Sequence, residues 1–468
     1  MGQRRYSGPV AGMRRSLCVA ALALLLLSPQ PAAASQPLSL RDAYSFAIHY
    51  DTQFRSAEAD REISKEEVSK AGAAFLPTVR GSLSRGRNRT QSQTPATNIF
   101  GQSYISSRDQ YYNTISNGLT LKQPLFNLGN FASLKQAKTI LAKSDLMLEH
   151  EHSNLIVRIS EAYFNVLYSE DNLLFSRAQT KAAFEQLQQA KKRYGGGFGT
   201  VTEINEAQAS YDMSIADEVS AINSLEAGRR ELERITGVYS DNLQHLAPNQ
   251  LLLVEPEPRN VEAWVGLARQ GNPRLDASRK EIEVAGKEVD KYRVSRYPQV
   301  ELWLGRNYSL SETNYSIGSA YDTWSISVQA SVPIYTGGYT SASIRQAQAR
   351  KTKAYDEMEQ QERSIVSDIR KYYYAQLNGV AQVKAYAQAV KSHEIALEGT
   401  KKGFLAGFRT NADVLEAQKK LLESRRNLAK SRYQYLMSSL MLKYSAGTLS
   451  IADLEAVDGC LSGGGAGS

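Results

Sequence analysis

The chain contains one unit twice. Gly197-Phe198-Gly199-Thr200 returns as Gly407-Phe408-Arg409-Thr410, Glu206-Ala207-Gln208 as Glu416-Ala417-Gln418, and Ile235-Thr236-Gly237 as Ser445-Ala446-Gly447, all at an offset of 210 residues. Leu134-Lys135-Gln136-Ala137 against Ile344-Arg345-Gln346-Ala347 keeps that offset. Upstream, Phe75-Leu76-Pro77-Thr78-Val79 pairs with Arg296-Tyr297-Pro298-Gln299-Val300 at an offset of 221, so the segments after the two prolines differ in length. A repeat of this size restricts the fold to two copies of one architecture.

Each copy reads as helix, strand pair, long helix, shorter helix. In the first copy (35–237), a helix from Phe54 to Leu76 is stopped by Pro77. The strand pair, 78–126, opens with Thr78 to Asn88. A polar loop runs to about Asp109, and a return strand alternates Tyr111, Ile115, Leu119 and Leu121 against Thr114, Ser116, Thr120 and Lys122. In the second copy (263–447), the pair spans 299–335, with Trp324, Ile326, Val328, Ala330, Val332 and Ile334 on one face and Ser325, Ser327, Gln329 and Ser331 on the other. That alternation fits core-in, water-out packing in a soluble sandwich, or lipid-out, lumen-in packing in an outer-membrane barrel.

The helices that follow are too long for a small globular core. Residues 132–194 contain neither proline nor glycine, 342–404 contain only Gly379, Gly399 and Gly403, and each stretch has 63 positions. At the α-helical rise each reaches roughly 95 Å. Leu134, Leu141, Leu148 and Leu155 recur at seven-residue steps, a coiled-coil spacing. The shorter helices, 199–237 and 408–446, add to the upstream 23-residue helices to give 62 in both copies. Two short helices stacked end to end therefore match one long helix, as in the wall of a cylinder. Residues 238–262, with Pro248, Pro256 and Pro258, link the copies, and the Gly-rich tail within 448–468 is expected to be partly disordered.

Targeting and composition narrow the setting. Arg14-Arg15, the apolar run Leu17–Leu27 and Ala32-Ala33-Ala34 read as a signal peptide over 1–34, with Met13 an alternative start to Met1. Cys18 would leave with it, and Cys460 has no partner for a disulfide. No later stretch is apolar for long enough to span a bilayer as a helix. The net charge of +8 owes four to Arg4, Arg5, Arg14 and Arg15, so it gives little support to nucleic acid binding. Four strands cannot close a transmembrane barrel, because known single-chain barrels begin at about 8 strands and an open edge in lipid leaves backbone groups unpaired. If the strands enter a membrane, several chains must share one barrel.

The duplicated halves, the strand exits Gln123-Pro124-Leu125-Phe126 and Val332-Pro333-Ile334-Tyr335-Thr336-Gly337-Gly338, and the turn Gly407-Phe408-Arg409-Thr410-Asn411-Ala412-Asp413-Val414-Leu415 resemble the TolC family of outer-membrane factors. The resemblance covers essentially the whole chain after the signal segment. It implies an α+β membrane protein: a homotrimer with a shared twelve-stranded β-barrel in outer-membrane lipid, continuous with a long periplasmic α-helical barrel. The implied role is an exit duct for type I protein secretion or drug efflux. Its partners would be a periplasmic adaptor and an inner-membrane ABC or RND transporter; neither a cofactor nor nucleic acid is implied. The absence of a lipid-attachment cysteine resembles the secretion branch more than the lipoprotein efflux branch.

Asp413 and Glu416 lie three apart at a helix start, on one helical face, where acids also suit the helix dipole. By the resemblance they line the periplasmic entrance as a carboxylate ring, a possible divalent cation site. The bland alternative is a pair of helix-capping acids. The resemblance also assigns entrance ties to Arg409 and Glu203. A tyrosine usual in the family is here Phe404, which cannot make a hydroxyl bond, so Tyr194 at the equivalent place in the first copy is the candidate substitute. Gly197, Gly199 and Gly407 belong to the tip turns. Arg85, Arg87 and Arg89 are candidates for anionic lipid headgroups, or a plain basic loop. Gly195-Gly196-Gly197 lacks the lysine of a phosphate loop, and Glu149-His150-Glu151-His152 has helical spacing unsuited to a metal. No nucleophile motif appears, so an enzyme is not expected. The competing reading is a secreted coiled-coil scaffold without channel activity.

Overall fold

The computed structural model describes residues 37–246, 251–312 and 318–461. The expected signal peptide and the end of the glycine-rich tail lie outside these residues. In order come α1 (Leu40–Tyr50), α2 (Thr52–Ala73), β1 (Thr78–Thr97), β2 (Ser103–Phe126), α3 (Leu128–Gly195) and α4 (Val201–Thr236). The second copy has α5 (Val261–Gly271), α6 (Pro273–Val294), β3 (Gln299–Ser311), β4 (Ser319–Ser331), α7 (Tyr339–Leu405) and α8 (Asn411–Ala446), followed by α9 (Ile451–Leu461).

The duplication is visible residue by residue. Asp51 breaks α1 from α2 and caps α2 by accepting the Phe54 N–H. Asn272, 221 positions on, breaks α5 from α6 and accepts the Arg274 and Leu275 N–H groups. Helices α2 and α6 are both 22 residues long, and α4 and α8 are both 36. Helix α3 runs beside α2 and then α4 on one flank, and beside α6 and then α8 on the other; α7 lies against α6 and α8. The result is a four-abreast helical layer in which broken and continuous helices alternate. Its outer edges are α2/α4 and α7. At 68 and 67 residues, α3 and α7 exceed the expected 132–194 and 342–404 by four and three residues at their starts and by one at their ends.

A belt covers one face of this layer near mid-height. Leu38 and Leu243 bridge the chain start to the segment after α4. The Tyr163 hydroxyl donates to the Leu38 carbonyl at 2.8 Å and accepts the Gln244 N–H at 3.0 Å. Tyr435 does the same for the second copy, donating to the Val254 carbonyl at 2.9 Å and accepting the Val254 N–H at 2.8 Å. Leu155, Ile159, Tyr163 and Leu167 form the centre of the largest core with Leu232, Leu440 and Leu454. On the opposite face of α3, about half a helical turn away, Arg158, Glu161, Asn165 and Tyr168 line a groove of about 750 Å³ with Arg234, Lys430 and Gln434.

The four strands form one antiparallel sheet in the order β1-β2-β3-β4, leaving both edges free in the chain. The register makes one face apolar: Val79, Leu121, Leu304 and Ile326 fall in one row, and Leu119, Arg306 and Trp324 in the next. The other face is mostly polar, with Arg80, Thr120, Gly305 and Ser325 in one row and Ser84, Ser116, Ser309 and Tyr321 in another, and Trp303 beside Lys122 also lies on it. Among the described residues no helix is long and apolar enough to cross a membrane.

Three expectations need correction. The polar loop from Asn88 to Asp109 is strand: β1 and β2 stay paired to Thr97 and Ser103, and the turn is only 98–102. Strand β4 ends at Ser331, so Val332 and Ile334 lie beyond it rather than on its apolar face. The tail contains helix α9, which carries Gly459 and Cys460 and buries Leu454, Val457 and Leu461. Helices α1 and α5, unassigned in the sequence, are amphipathic, and they bury Leu40, Ala43, Tyr44 and Ala47, and Trp264, Val265 and Ala268.

Candidate functional site at the helical tip

Both helical hairpins turn in the same way at the end far from the sheet. Helix α3 ends at Gly195; Gly197 takes φ 81° and the Phe198 N–H returns to the Arg193 carbonyl at 2.9 Å. Helix α7 ends at Leu405; Gly407 takes φ 80° and the Phe408 N–H returns to the Gly403 carbonyl at 2.9 Å. Left-handed glycines close the helix ends at no steric cost. Thr200 and Thr410 then cap α4 and α8. Each hairpin is held by its own small core: Leu187, Ala190 and Ala207 in the first, and Leu397, Val414 and Leu421 with Phe404 in the second.

Asp413 is a capping residue. Its Oδ2 accepts the Thr410 N–H at 2.8 Å and the Thr410 hydroxyl at 3.0 Å, and the Asp413 N–H donates back to Thr410 at 3.2 Å. This reciprocal box satisfies orphan donors of the first turn. The Thr410 N–H foremost, then its hydroxyl and the Arg409 charge, hold the carboxyl below the usual range, so it is ionised at neutral pH. Oδ1 takes no hydrogen bond among the described residues. Glu416, one turn on, is exposed, and among the described residues its carboxylate pairs with Lys420 at 3.5 Å. It borders a groove of about 250 Å³ between α8 and the first hairpin, lined by Gln179, Ala182, Ala183 and Ser210. Within one chain the two acids gather no third ligand; among the described residues no cluster of three or more His, Cys, Asp or Glu could hold a metal.

The structure places the other tip residues as follows. Arg409 lies across Gly403, its Cγ only 2.9 Å from where a Cβ on that glycine would sit. Among the described residues no ion pair joins Arg409 to Glu203. Glu203 sits in the first turn of α4, with its N–H on the Thr200 hydroxyl at 3.2 Å and Oε2 close over Gly199. Tyr194 is half exposed, and its hydroxyl meets no partner among the described residues. Phe404 has one that sequence reasoning missed: the Arg193 guanidinium lies 5.1 Å over its ring. The contact ties the first hairpin to the second, which Tyr194 does not do. The sequence signal was an arginine five residues before Phe198, unremarked because its partner lies in the other copy. Phe198 and Phe408, at matching positions, stand 82% and 86% exposed, which leaves two aromatic rings unpartnered at the tip.

Comparison with known proteins agrees with this geometry. The family model described as outer membrane efflux protein matches residues 43–238 and 264–448. Alkaline protease secretion protein AprF of Pseudomonas aeruginosa is 32% identical over 95% of this chain and 91% of its own length. Outer membrane protein TolC of Vibrio cholerae is 33% identical over 90% and 93%. The crystal structure of the Campylobacter jejuni CmeC outer membrane channel aligns with a TM-score of 0.74 at 18% identity, over 87% of this chain and 85% of that one. Two matching halves, long relatives and a shared fold together establish that the chain belongs to the outer membrane efflux protein family, whose members reside in the outer membrane and extend into the periplasm.

Proposed function

We propose that three copies of this chain form the outer-membrane exit duct of a type I secretion system. The observation that carries this reading is the open four-stranded sheet with one apolar and one polar face. Its edge strands run in opposite directions, so β4 of one copy meets β1 of the next antiparallel, and three copies close twelve strands without an unpaired edge. The apolar face then meets lipid and the polar face meets water. The helical layer closes at the same time, α7 against α2/α4 of the neighbour, with the belt outside and the Arg158–Asn165 groove lining the duct. Secretion is favoured by the relatives AprF and PrtF, a "Proteases secretion protein" that is 30% identical over 90% of this chain.

The tip is the periplasmic entrance in this reading. Copies of Asp413 and Glu416 form stacked carboxylate rings that attract cations and hold a divalent ion, Asp413 through its unused Oδ1. Arg409 and Glu203 act between hairpins, and Arg193 over Phe404 takes the place of the missing tyrosine tie. The exposed Phe198 and Phe408 suit an adaptor docked at the tip, which links the duct to an inner-membrane ABC transporter.

Drug efflux through the same duct, fed by an RND transporter, is the second reading; the family description and the relative "Outer membrane efflux protein BepC" favour it. A strain lacking the protein separates the two. Loss of a large secreted protein with normal tolerance of dyes, detergents and antibiotics is the expected result. A normal secretome with drug hypersensitivity would replace secretion by efflux. A normal phenotype in both assays, with the protein released among soluble periplasmic contents, would favour a non-channel scaffold instead.

A further inference from the structure

Beyond the apolar rows, on the side away from the helices, the same face of the sheet turns basic. Arg85, Arg87 and Arg89 take alternate positions on β1 opposite Ile115, Asn113 and Tyr111, so they share the face of Leu119 and Leu121. All three are exposed. Arg89 is neutralised by Asp109 at 2.6 Å and lies 5.5 Å over Tyr111. Arg306, on the same face, is likewise neutralised by Asp322 at 2.8 Å and lies 5.0 Å over Trp324. The remaining acid on this stretch, Glu312, accepts the Asn113 amide at 2.9 Å. Arg85 and Arg87 hold no carboxylate among the described residues.

Outward from the Val79–Ile326 row, this face carries the ring of Trp324, then that of Tyr308, then Arg85 beside Ile115 and Leu310, then Arg87, with Tyr111 one row further out; the two guanidinium groups, about 7 Å apart along one strand, hold no carboxylate among the described residues. That sequence of layers is where a barrel wall leaves hydrocarbon and meets headgroups. A guanidinium fork matches phosphate oxygens in paired hydrogen bonds. We propose that Arg85 and Arg87 bind the phosphate groups of an anionic lipid headgroup in the outer leaflet. The proposal rests on the reading of this face as lipid-facing.

The test uses the full-length protein purified in neutral detergent. It is mixed with micelles of bis-phosphorylated lipid A or of phosphatidylcholine, and retained lipid is counted by mass spectrometry after gel filtration. The wild type is expected to retain lipid A over phosphatidylcholine. R85Q/R87Q is expected to retain about tenfold less, the loss of one to two charge-assisted contacts, and R85K/R87K to keep an intermediate amount. Equal retention by the wild type and R85Q/R87Q overturns the proposal, as does displacement of all lipid A by inorganic phosphate. Gel-filtration position and bilayer current are recorded for each variant, so a misfolded variant is recognised and excluded. A wild type that binds lipid A yet passes no current would sink the duct and leave the lipid site standing.

Discussion

Asp51 holds the junction of the two short first helices through two roles at once. It caps α2, and it takes the Arg158 guanidinium in two bonds of 3.0 and 2.8 Å while only 2% exposed. Burial opposes its charge, but Arg158 and the Phe54 N–H outweigh that and hold the carboxyl below its usual range. Asp51→Ala removes the carboxylate from a partly buried Arg158 and the cap from α2, and should lower unfolding stability by about 2–3 kcal/mol in denaturant titration, less than for a fully buried pair. Adding Arg158→Met should recover part of that loss; an additive double variant would show that the pair is not coupled. Gly447 is the matching constraint in the second copy. It has φ 74°, and a Cβ there would come 2.6 Å from Asn272 Cα, a backbone atom that cannot swing aside. Gly447→Ala should therefore disturb the α5–α6 junction more than Gly407→Ala disturbs the open tip, where nothing lies within 4 Å. Differential melting of the two variants checks this. At the tip, Asp413 was legible as a helix-start acid, but its commitment to Thr410 is a local bond that two readings of the sequence shared equally.

Two histidines of α3 hold the belt side of the helical layer together. His152 receives the Tyr44 hydroxyl contact at 2.7 Å and His150 stacks on Tyr444, tying α3 to α1 and to α8. Burial, first, pushes both imidazoles below their ordinary range, with Arg274 adding to the effect at His150. A histidine whose folded value is depressed leaves more protons on the unfolded chain, so stability rises with pH. The contribution is intact above about pH 6.5 and is lost as pH falls below it. The melting temperature in detergent should fall between pH 7.5 and 5.5, and H150Q/H152Q should flatten that dependence; an unchanged slope would assign it elsewhere. At the tip, Arg193→Ala and Phe404→Ala should each raise resting conductance, and the double variant should add little to either, because both remove one contact worth about 0.5–1 kcal/mol when exposed. The elements also show why some structure escaped the sequence. Residues 89–109 form a hairpin that pairs only with itself and is polar on most positions of both faces, so no period-two apolar signal marks it. Helix α9 was hidden by Gly459 and the glycine run that follows it in sequence, although Leu454, Val457 and Leu461 keep helical spacing. The long helices were readable because uninterrupted length and heptads need no partner to be seen.

For the whole molecule, the repeat decided the architecture before any contact was known. Equal helix sums in both copies predicted a wall of broken and continuous helices, and the chain has one. Within one chain the sheet does not close: its apolar face is exposed and both of its edges are free. Val79, Ile326 and Val328 are 64–73% exposed in one chain, an unstable condition in water that lipid and a closed barrel would remove. If closure brings Asp413 and Glu416 of three copies together, D413A/E416A should abolish divalent block of the pore while leaving assembly intact; persistent block would remove the ring from these residues. The most direct test of the shared duct is single-channel recording of the purified full-length protein in a planar bilayer. Discrete, small conductance steps are expected, blocked by divalent cations added from the side of the helical tip. Silence from protein that gel filtration shows to be trimeric, or current that appears from monomers, would contradict the shared duct.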